Sequence, residues 1–205
     1  VLRIIVDKEL DLDLKELLEC ATQNLGNIIE NANTADDVLN FMLDRFRAWY
    51  AEKGISAEVF LAVRARTPTS PMDFDQRVKA VNSFVKLPEA QALAAANKRV
   101  ANILAKSTTV VGDAVDNALL EEYAEKQLAA MVADKAPQVK DLFEARNYNQ
   151  ALASLADMRD TIDLFFDQVM VMAENEAIKN NRIALLNQLR NLFLSVADIS
   201  LLPSS

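Results

Sequence analysis

Histidine is absent from this sequence of 205 residues, and cysteine occurs once. The first absence removes the usual general acid/base, the commonest metal ligand and the usual partner of a Ser or Cys nucleophile. A lone cysteine, Cys20, makes neither an internal disulfide nor a Cys-type zinc site. It falls within an apolar helical pattern, so a buried structural thiol is expected, and a reducing, cytoplasmic setting fits. Three glycines and five prolines are few for this length. Chains rich in strands need many turns, and turns need Gly and Pro, so their scarcity favours few, long helices. No apolar run approaches the ~20 residues of a membrane span, and no membrane partner is expected. The opening Val1-Leu2-Arg3-Ile4-Ile5-Val6 lacks Met and a signal-peptide layout. It reads as the middle of an element, so the chain is expected to be a fragment of something longer.

Acidic residues outnumber basic ones overall, for a net charge of −8, but unevenly. Residues 1–39 hold three Lys/Arg against nine Asp/Glu, residues 40–106 eleven against six, and residues 107–205 eight against fifteen. A basic middle thus lies between acidic ends. Phosphate binding depends on local potential rather than net charge, so the middle third is the place to look for a polyanion site.

Punctuation along the chain predicts helices. Asp13 is placed to cap a helix with the apolar face Leu14, Leu17, Leu18, Ala21 and Leu25, followed by Gly26. Thr34 with Asp37 resembles a capping box opening a stretch with Val38, Phe41, Met42, Phe46 and Trp49 that closes at Gly54. Ser56 opens a shorter helix, Thr67-Pro68-Thr69-Ser70-Pro71 makes a loop, and Ser70 with Pro71 starts the next helix. Beyond Pro88 the stripe is Ala90, Leu93, Val100, Ile103 and Leu104, with no acidic residue between Ala90 and Lys106. Asp113 is expected to open a helix, Pro137 to begin a new segment, and Asn147-Tyr148 to mark a turn. A long helix then carries Ala151 through Val169, and a last one carries Ile178 through Val196. No trustworthy strand alternation or internal repeat is found, so the fold class is all-α, a bundle of about eight or nine antiparallel helices.

The chemistry on offer is narrow. Three isolated glycines make no phosphate loop. Glu121, Glu122 and Glu125 share a helical face, and Asp157, Asp160 and Asp163 form what reads as a solvated acidic stripe. A di-metal bundle would add His to such carboxylates, and none exists, so neither a metal site nor a catalytic constellation is expected. RNA binding is the sharper possibility, because unstacked bases are held by stacking and edge hydrogen bonds. Lys98, Asn102 and Lys106 are i,i+4 neighbours, Arg99 lies one position round, and Arg64 and Arg66 sit at a helix end. Arg77 joins this set on charge and loop placement. Trp49, spaced from Phe46, is expected in the core.

Several blocks taken together resemble a known family. They are Val1-Leu2-Arg3-Ile4, Phe46-Arg47-Ala48-Trp49-Tyr50, Asp73-Phe74-Asp75-Gln76-Arg77 and Ala94-Ala95-Ala96-Asn97-Lys98-Arg99-Val100. Asn102-Ile103-Leu104, Tyr148-Asn149-Gln150-Ala151-Leu152, Phe165-Phe166-Asp167-Gln168-Val169-Met170-Val171-Met172 and Val196-Ala197-Asp198-Ile199-Ser200 follow in order. Over its full length the chain resembles the C-terminal part of the bacterial-type glycyl-tRNA synthetase β subunit. One departure is Gln150-Ala151-Leu152, where the family tends to Asp-Ala-Leu. The resemblance implies an anticodon-binding helical domain of the arginyl-tRNA synthetase type at 87–205, preceded by the helical end of the β-subunit body at 1–86. It also implies glycine tRNA and a glycyl-tRNA synthetase α subunit as partners. ATP and Mg²⁺ chemistry would lie on that α subunit, with no cofactor in this fragment. The implied function is tRNA recognition within glycine–tRNA ligase. By motif position the resemblance carries tRNA contact to Lys98, Arg99 and Asn102, with Lys106 one turn on. The competing expectation is a non-catalytic helical scaffold for protein assembly, which would expose an apolar patch larger than monomers usually show.

Overall fold

The computed structural model describes residues 1–107 and 114–203, and among these it contains α-helices, short 3₁₀ turns and no strand. The eleven α-helices are α1 (Leu2–Asp7), α2 (Leu14–Leu25), α3 (Thr34–Asp44), α4 (Phe46–Glu52), α5 (Ala57–Arg64) and α6 (Pro71–Phe84), then α7 (Ala90–Lys106), α8 (Tyr123–Glu144), α9 (Tyr148–Ala156), α10 (Arg159–Gln168) and α11 (Glu176–Leu194). The expected all-α class is therefore observed. The predicted helix opener Asp113 lies outside the described residues.

Local capping chemistry explains most boundaries. The Asp13 carboxylate accepts from the backbone N–H groups of Lys15 and Glu16, satisfying two orphan donors of α2. Gly26 ends that helix at φ 52°, where a side chain would be strained. Ser56, Ser70 and Asn147 cap α5, α6 and α9, and Asn175 caps α11.

Four expectations are corrected. No capping box forms at Thr34, because Asn33 holds the cap position and the Thr34 hydroxyl donates instead to the Asn31 carbonyl. Asp37 accepts from the Asn31 side chain at 3.0 Å. The stretch to Gly54 is two helices, α3 and α4, meeting at Arg45. Pro137 does not start a segment; it lies inside α8. Its missing N–H orphans a carbonyl four residues back, at Ala133, which is exposed and open to water, while Val132 and Val139 anchor both halves in the core. The predicted long helix from Ala151 to Val169 breaks at Asp157–Met158 into α9 and α10, and Met158 is fully buried at the bend.

One core runs through the whole molecule. Phe46, Tyr50, Phe60 and Phe74 stack as an aromatic cluster in the first half, with ring centroids 5.3–6.3 Å apart. Trp49 packs on Phe46 and is buried as expected. In the second half Leu128, Leu152, Leu155, Ile162, Phe165, Leu185, Leu186 and Phe193 are buried. The apolar block after α10 alternates: Val169 and Val171 are buried while Met170 and Met172 are exposed, as an extended segment requires. Helix α6 packs on α9, and the Asp198 N–H donates to the Ala62 carbonyl at 2.9 Å, so the two halves are joined by both apolar and backbone contacts.

The α2 stripe is the main departure from the expected core. Of Leu14, Leu17, Leu18, Ala21 and Leu25, only Leu14 is buried. In α3 it is Leu39 and Leu43 that face inward, while Val38 and Phe41 face water. With Val1, Ile4, Leu10, Leu12 and Ile28 they leave an extensive apolar surface on α1–α3, Ile28 being 80% exposed. Cys20 sits on this outward side and is exposed rather than buried, correcting the expected structural thiol; the Asn24 amide donates to its Sγ at 3.6 Å. The native protein should therefore react with a disulfide reagent such as DTNB at a rate close to that of the unfolded chain. A reaction at least ~100-fold slower in the folded state, an exposure ratio readable as local opening, would contradict that exposure.

Candidate nucleic-acid interface

Helix α7 is built from strong helix formers, seven of its seventeen residues being alanine. Its inner side buries Leu93, Ala94, Ala96 and Val100, and Asn97 is buried with its amide donating to the Leu93 carbonyl at 3.1 Å. The outer side is what the sequence led us to expect: Lys98, Arg99, Asn102 and Lys106 are all exposed. Ala95, Arg99, Asn102 and Lys106 recur at i, i+4, i+7 and i+11, one straight stripe, with Lys98 on its flank. Among the described residues none of the three cations Lys98, Arg99 and Lys106 makes an ion pair with a carboxylate. A paired cation has already spent its field on a neighbour; these three have not, and Lys98 and Lys106 stand clear of the α10 carboxylates, open to a polyanion.

Arg99 is set against α10. Its guanidinium carbon lies 4.3 Å from the centroid of the Phe166 ring, a cation–π contact. Phe166 is half-buried and meets Phe165 edge to face at 5.5 Å. Together with Ala92, Ala95, Ala96, Asp163 and Asp167 the pair lines an open groove of about 370 Å³ between α7 and α10. Nothing in the helical stripe of Ala151 through Val169 marks Phe166 as a partner for Arg99. The available signal was the doublet Phe165-Phe166, since adjacent helical residues lie about 100° apart and do not both face one core.

The other candidates are placed differently. Arg64, at the end of α5, is tied to α3: its Nε donates to Asp44 Oδ1 at 2.9 Å and its Nη2 to Asn40 Oδ1 at 2.8 Å. Arg66 is exposed on the loop before α6, next to Thr67 at φ 45°. No hydrogen bond, ion pair or ring contact among the described residues links either one to the α7 cations.

Arg77 is not a surface cation, and its candidacy for tRNA contact is corrected. Only 8% exposed, it donates from Nε to Asp73 Oδ2 at 2.7 Å, and from Nη1 to the carbonyls of Ser195 and Val196 at 2.6 and 2.9 Å. Its guanidinium also rests on the rings of Phe143 and Tyr148, at 5.0 and 4.7 Å. The Tyr148 hydroxyl donates to the other Asp73 oxygen. Burial, with that carboxylate beside it, pushes the Tyr148 hydroxyl up to about 12, so it remains a donor at neutral pH. Helices α6, α8 and α9 and the segment that follows α11 thus meet at one arginine.

A second buried ion pair was missed altogether. Glu125, read from its spacing as one of three carboxylates on a face, is fully buried. One oxygen accepts from Arg182 Nε at 2.6 Å; the other accepts from Arg182 Nη2 at 3.3 Å and from the backbone N–H groups of Glu121 and Glu122, closing a capping box on α8. Arg182 Nη1 donates to the Met170 carbonyl at 3.0 Å, which fixes the extended segment after α10. Burial pushes the Glu125 carboxyl up, but Arg182 and the two N–H donors outweigh it and hold it below the ordinary glutamate range. Among the described residues no cluster of three or more Cys, Asp or Glu is placed to hold a metal ion.

The family described as glycyl-tRNA synthetase beta subunit matches residues 1–65. A glycine–tRNA ligase beta subunit from Marinobacter nauticus is 60% identical over 206 residues, covering 100% of this chain and 30% of that protein. Those of Aliivibrio fischeri and Shewanella amazonensis are each 55% identical over 202 residues, covering 98% of this chain and 29% of the relative. The chain therefore spans about 30% of the length of the curated relatives it matches. The family described as DALR anticodon binding domain matches residues 93–199, which hold most of α7 with its exposed cations, and all of α8 to α11. The chain belongs to the DALR anticodon binding domain family.

Proposed function

We propose that this chain is the tRNA-recognition portion of a glycine–tRNA ligase β subunit, with residues 87–205 reading the anticodon arm of glycine tRNA and residues 1–86 ending the subunit body. The observation that carries it is the unpaired cationic stripe of α7 inside the segment that matches an anticodon-binding family. Lys98 and Lys106 supply phosphate contacts, while Arg99 and Asn102 supply base contacts, since Arg stacks as well as pairs and Asn reads a base edge. Arg66 is a second, detached cation that could meet another part of the same RNA. Glycine activation with ATP and Mg²⁺ belongs in this reading to a partner α subunit in the cytoplasm. No helix among the described residues is long and apolar enough to cross a membrane.

The test is binding of the chain to a glycine tRNA transcript, and to one with both anticodon cytosines replaced, at two salt concentrations. The expected result is weaker binding to the altered transcript. Lys98→Ala and Lys106→Ala should each lower the slope of log affinity against log salt by about 1. Equal affinity for both transcripts would reduce the contact to nonspecific phosphate binding and overturn anticodon reading.

A second role, protein assembly, is favoured by the exposed apolar surface of α1–α3, which lies on the part of the chain matched by the β-subunit family. It attaches to a different end of the molecule from α7, so the two readings do not compete for residues. The Ile28→Asp/Phe41→Asp double variant should leave tRNA affinity of the chain unchanged and abolish its reconstitution with the remainder of the β subunit and the α subunit.

A further inference from the structure

The groove between α7 and α10 is poorly suited to phosphate and well suited to a nucleobase. Phosphate would meet the carboxylates of Asp163 and Asp167, which line it. A base would instead find a planar cation lying on an aromatic ring, Arg99 on Phe166 at 4.3 Å, and a floor of small residues, Ala92, Ala95 and Ala96. Its volume, about 370 Å³, lies at the low end of the ~300–1,000 Å³ of small-ligand pockets, right for one flat ring system. Asp163 is partly neutralised by Arg159, whose Nε lies 3.5 Å from it. Asp167 is exposed and makes no ion pair among the described residues, so it remains a free acceptor at the rim. The backbone of the same RNA strand has a path along α7, since Lys106 lies seven residues beyond Arg99, about 10 Å along the axis.

We infer that the Arg99–Phe166 groove seats a single unstacked RNA base that presents hydrogen-bond donors to Asp167, namely cytosine or guanine. A carboxylate only accepts hydrogen bonds. Cytosine offers its amino group beside a C–H, and guanine offers adjacent imino and amino donors, so each meets a carboxylate without facing it with a lone pair. Adenine flanks its amino group with ring nitrogen acceptors on both sides, and uracil presents carbonyl oxygens, so both are disfavoured. Base specificity in this groove comes from acidic residues, within a chain whose affinity comes from basic ones. The inference rests on the RNA-binding reading of α7 and assigns to one place in it the task of discrimination.

The experiment compares binding of the chain to short oligouridylates of equal length carrying one internal cytosine, one guanine, one adenine or no replacement. Equal length holds the phosphate term constant, so differences report the base alone. A single cytosine or guanine should tighten binding about tenfold over the all-uridine strand, the worth of one good edge contact, and adenine should not. Tightening by cytosine identifies a pyrimidine seat and by guanine a purine seat; either supports the inference. Asp167→Asn should erase that discrimination while leaving all-uridine binding intact, because the amide both donates and accepts. Phe166→Leu, which keeps an apolar side chain against Phe165 but removes the π face, should weaken all four strands about equally, by roughly tenfold. Retained helical circular dichroism shows that both variants fold. Equal binding of all four strands to the parent chain, discrimination that survives Asp167→Asn, or no binding of any strand would overturn the inference. If the tRNA transcripts are still distinguished in those cases, the groove assignment fails alone; if they are not, the tRNA-recognition reading fails with it.

Discussion

Arg182→Met should lower the unfolding free energy by about 3–5 kcal/mol, the cost of leaving a buried charge without its partner. The Glu125 carboxylate would remain at zero exposure with only the Glu121 and Glu122 N–H groups to compensate it. Glu125→Leu combined with Arg182→Met should recover much of that loss, because removing both charges also removes their desolvation cost. Urea denaturation of the two single variants and the double variant closes the cycle; a double variant as unstable as the worse single one would mean that the shape of the pair, not its charge, matters. The same pair makes stability depend on pH. The folded Glu125 pKa lies below its unfolded value. Its contribution is therefore fully present above the ordinary glutamate pKa and is lost as pH falls through the depressed folded value. The parent should lose stability over that acidic window more steeply than the double variant, which has no carboxylate to protonate there.

Arg77→Met should cost about 3 kcal/mol or more, since it abandons the mostly buried Asp73 carboxylate and the Ser195 and Val196 carbonyls at once. Methionine keeps the apolar contact with Phe143 and Tyr148, so the loss reports hydrogen bonds and charge. Amide exchange locates the effect. Protection should fall first around Ser195–Ile199 and at the start of α6, with the α8–α10 packing less affected. Affinity for RNA should change only in proportion to the fraction unfolded. A folded Arg77→Met chain with selectively weakened tRNA binding would restore this residue to the interface from which its burial removes it.

Much of the fold was legible along the chain because caps and punctuation act locally. Asp13, Ser56, Ser70 and Asn147 each satisfy N–H groups within three residues, so their roles need no tertiary knowledge. Pro137 and the Asp157–Met158 break were misread for the converse reason. Whether a helix survives a proline, or bends at a methionine, depends on what the flanking residues pack against. The exposed stripe of α2 failed similarly: periodicity identifies an apolar face but not whether anything covers it.

At the candidate site the same division holds. The absence of acidic residues from Ala90 to Lys106, and the helical spacing of Lys98, Arg99, Asn102 and Lys106, determined an exposed basic face, because helix geometry alone converts spacing into direction. The sequence by itself also determined the all-α class, through its scarcity of turn formers, and the family, through blocks in order. Only the tertiary structure decided which charges are free and which are bound. Arg77 and Arg182 look no different from Arg99 in the sequence, yet the first two are enclosed by carboxylates and carbonyls, among them the Ser195 and Val196 carbonyls on Arg77 and the Glu125 carboxylate on Arg182, all more than fifty residues away. Arg99 meets instead an aromatic ring on α10 and open solvent. Charge pairing is a through-space property that falls off over a few ångströms, and no pattern read along the chain measures that distance.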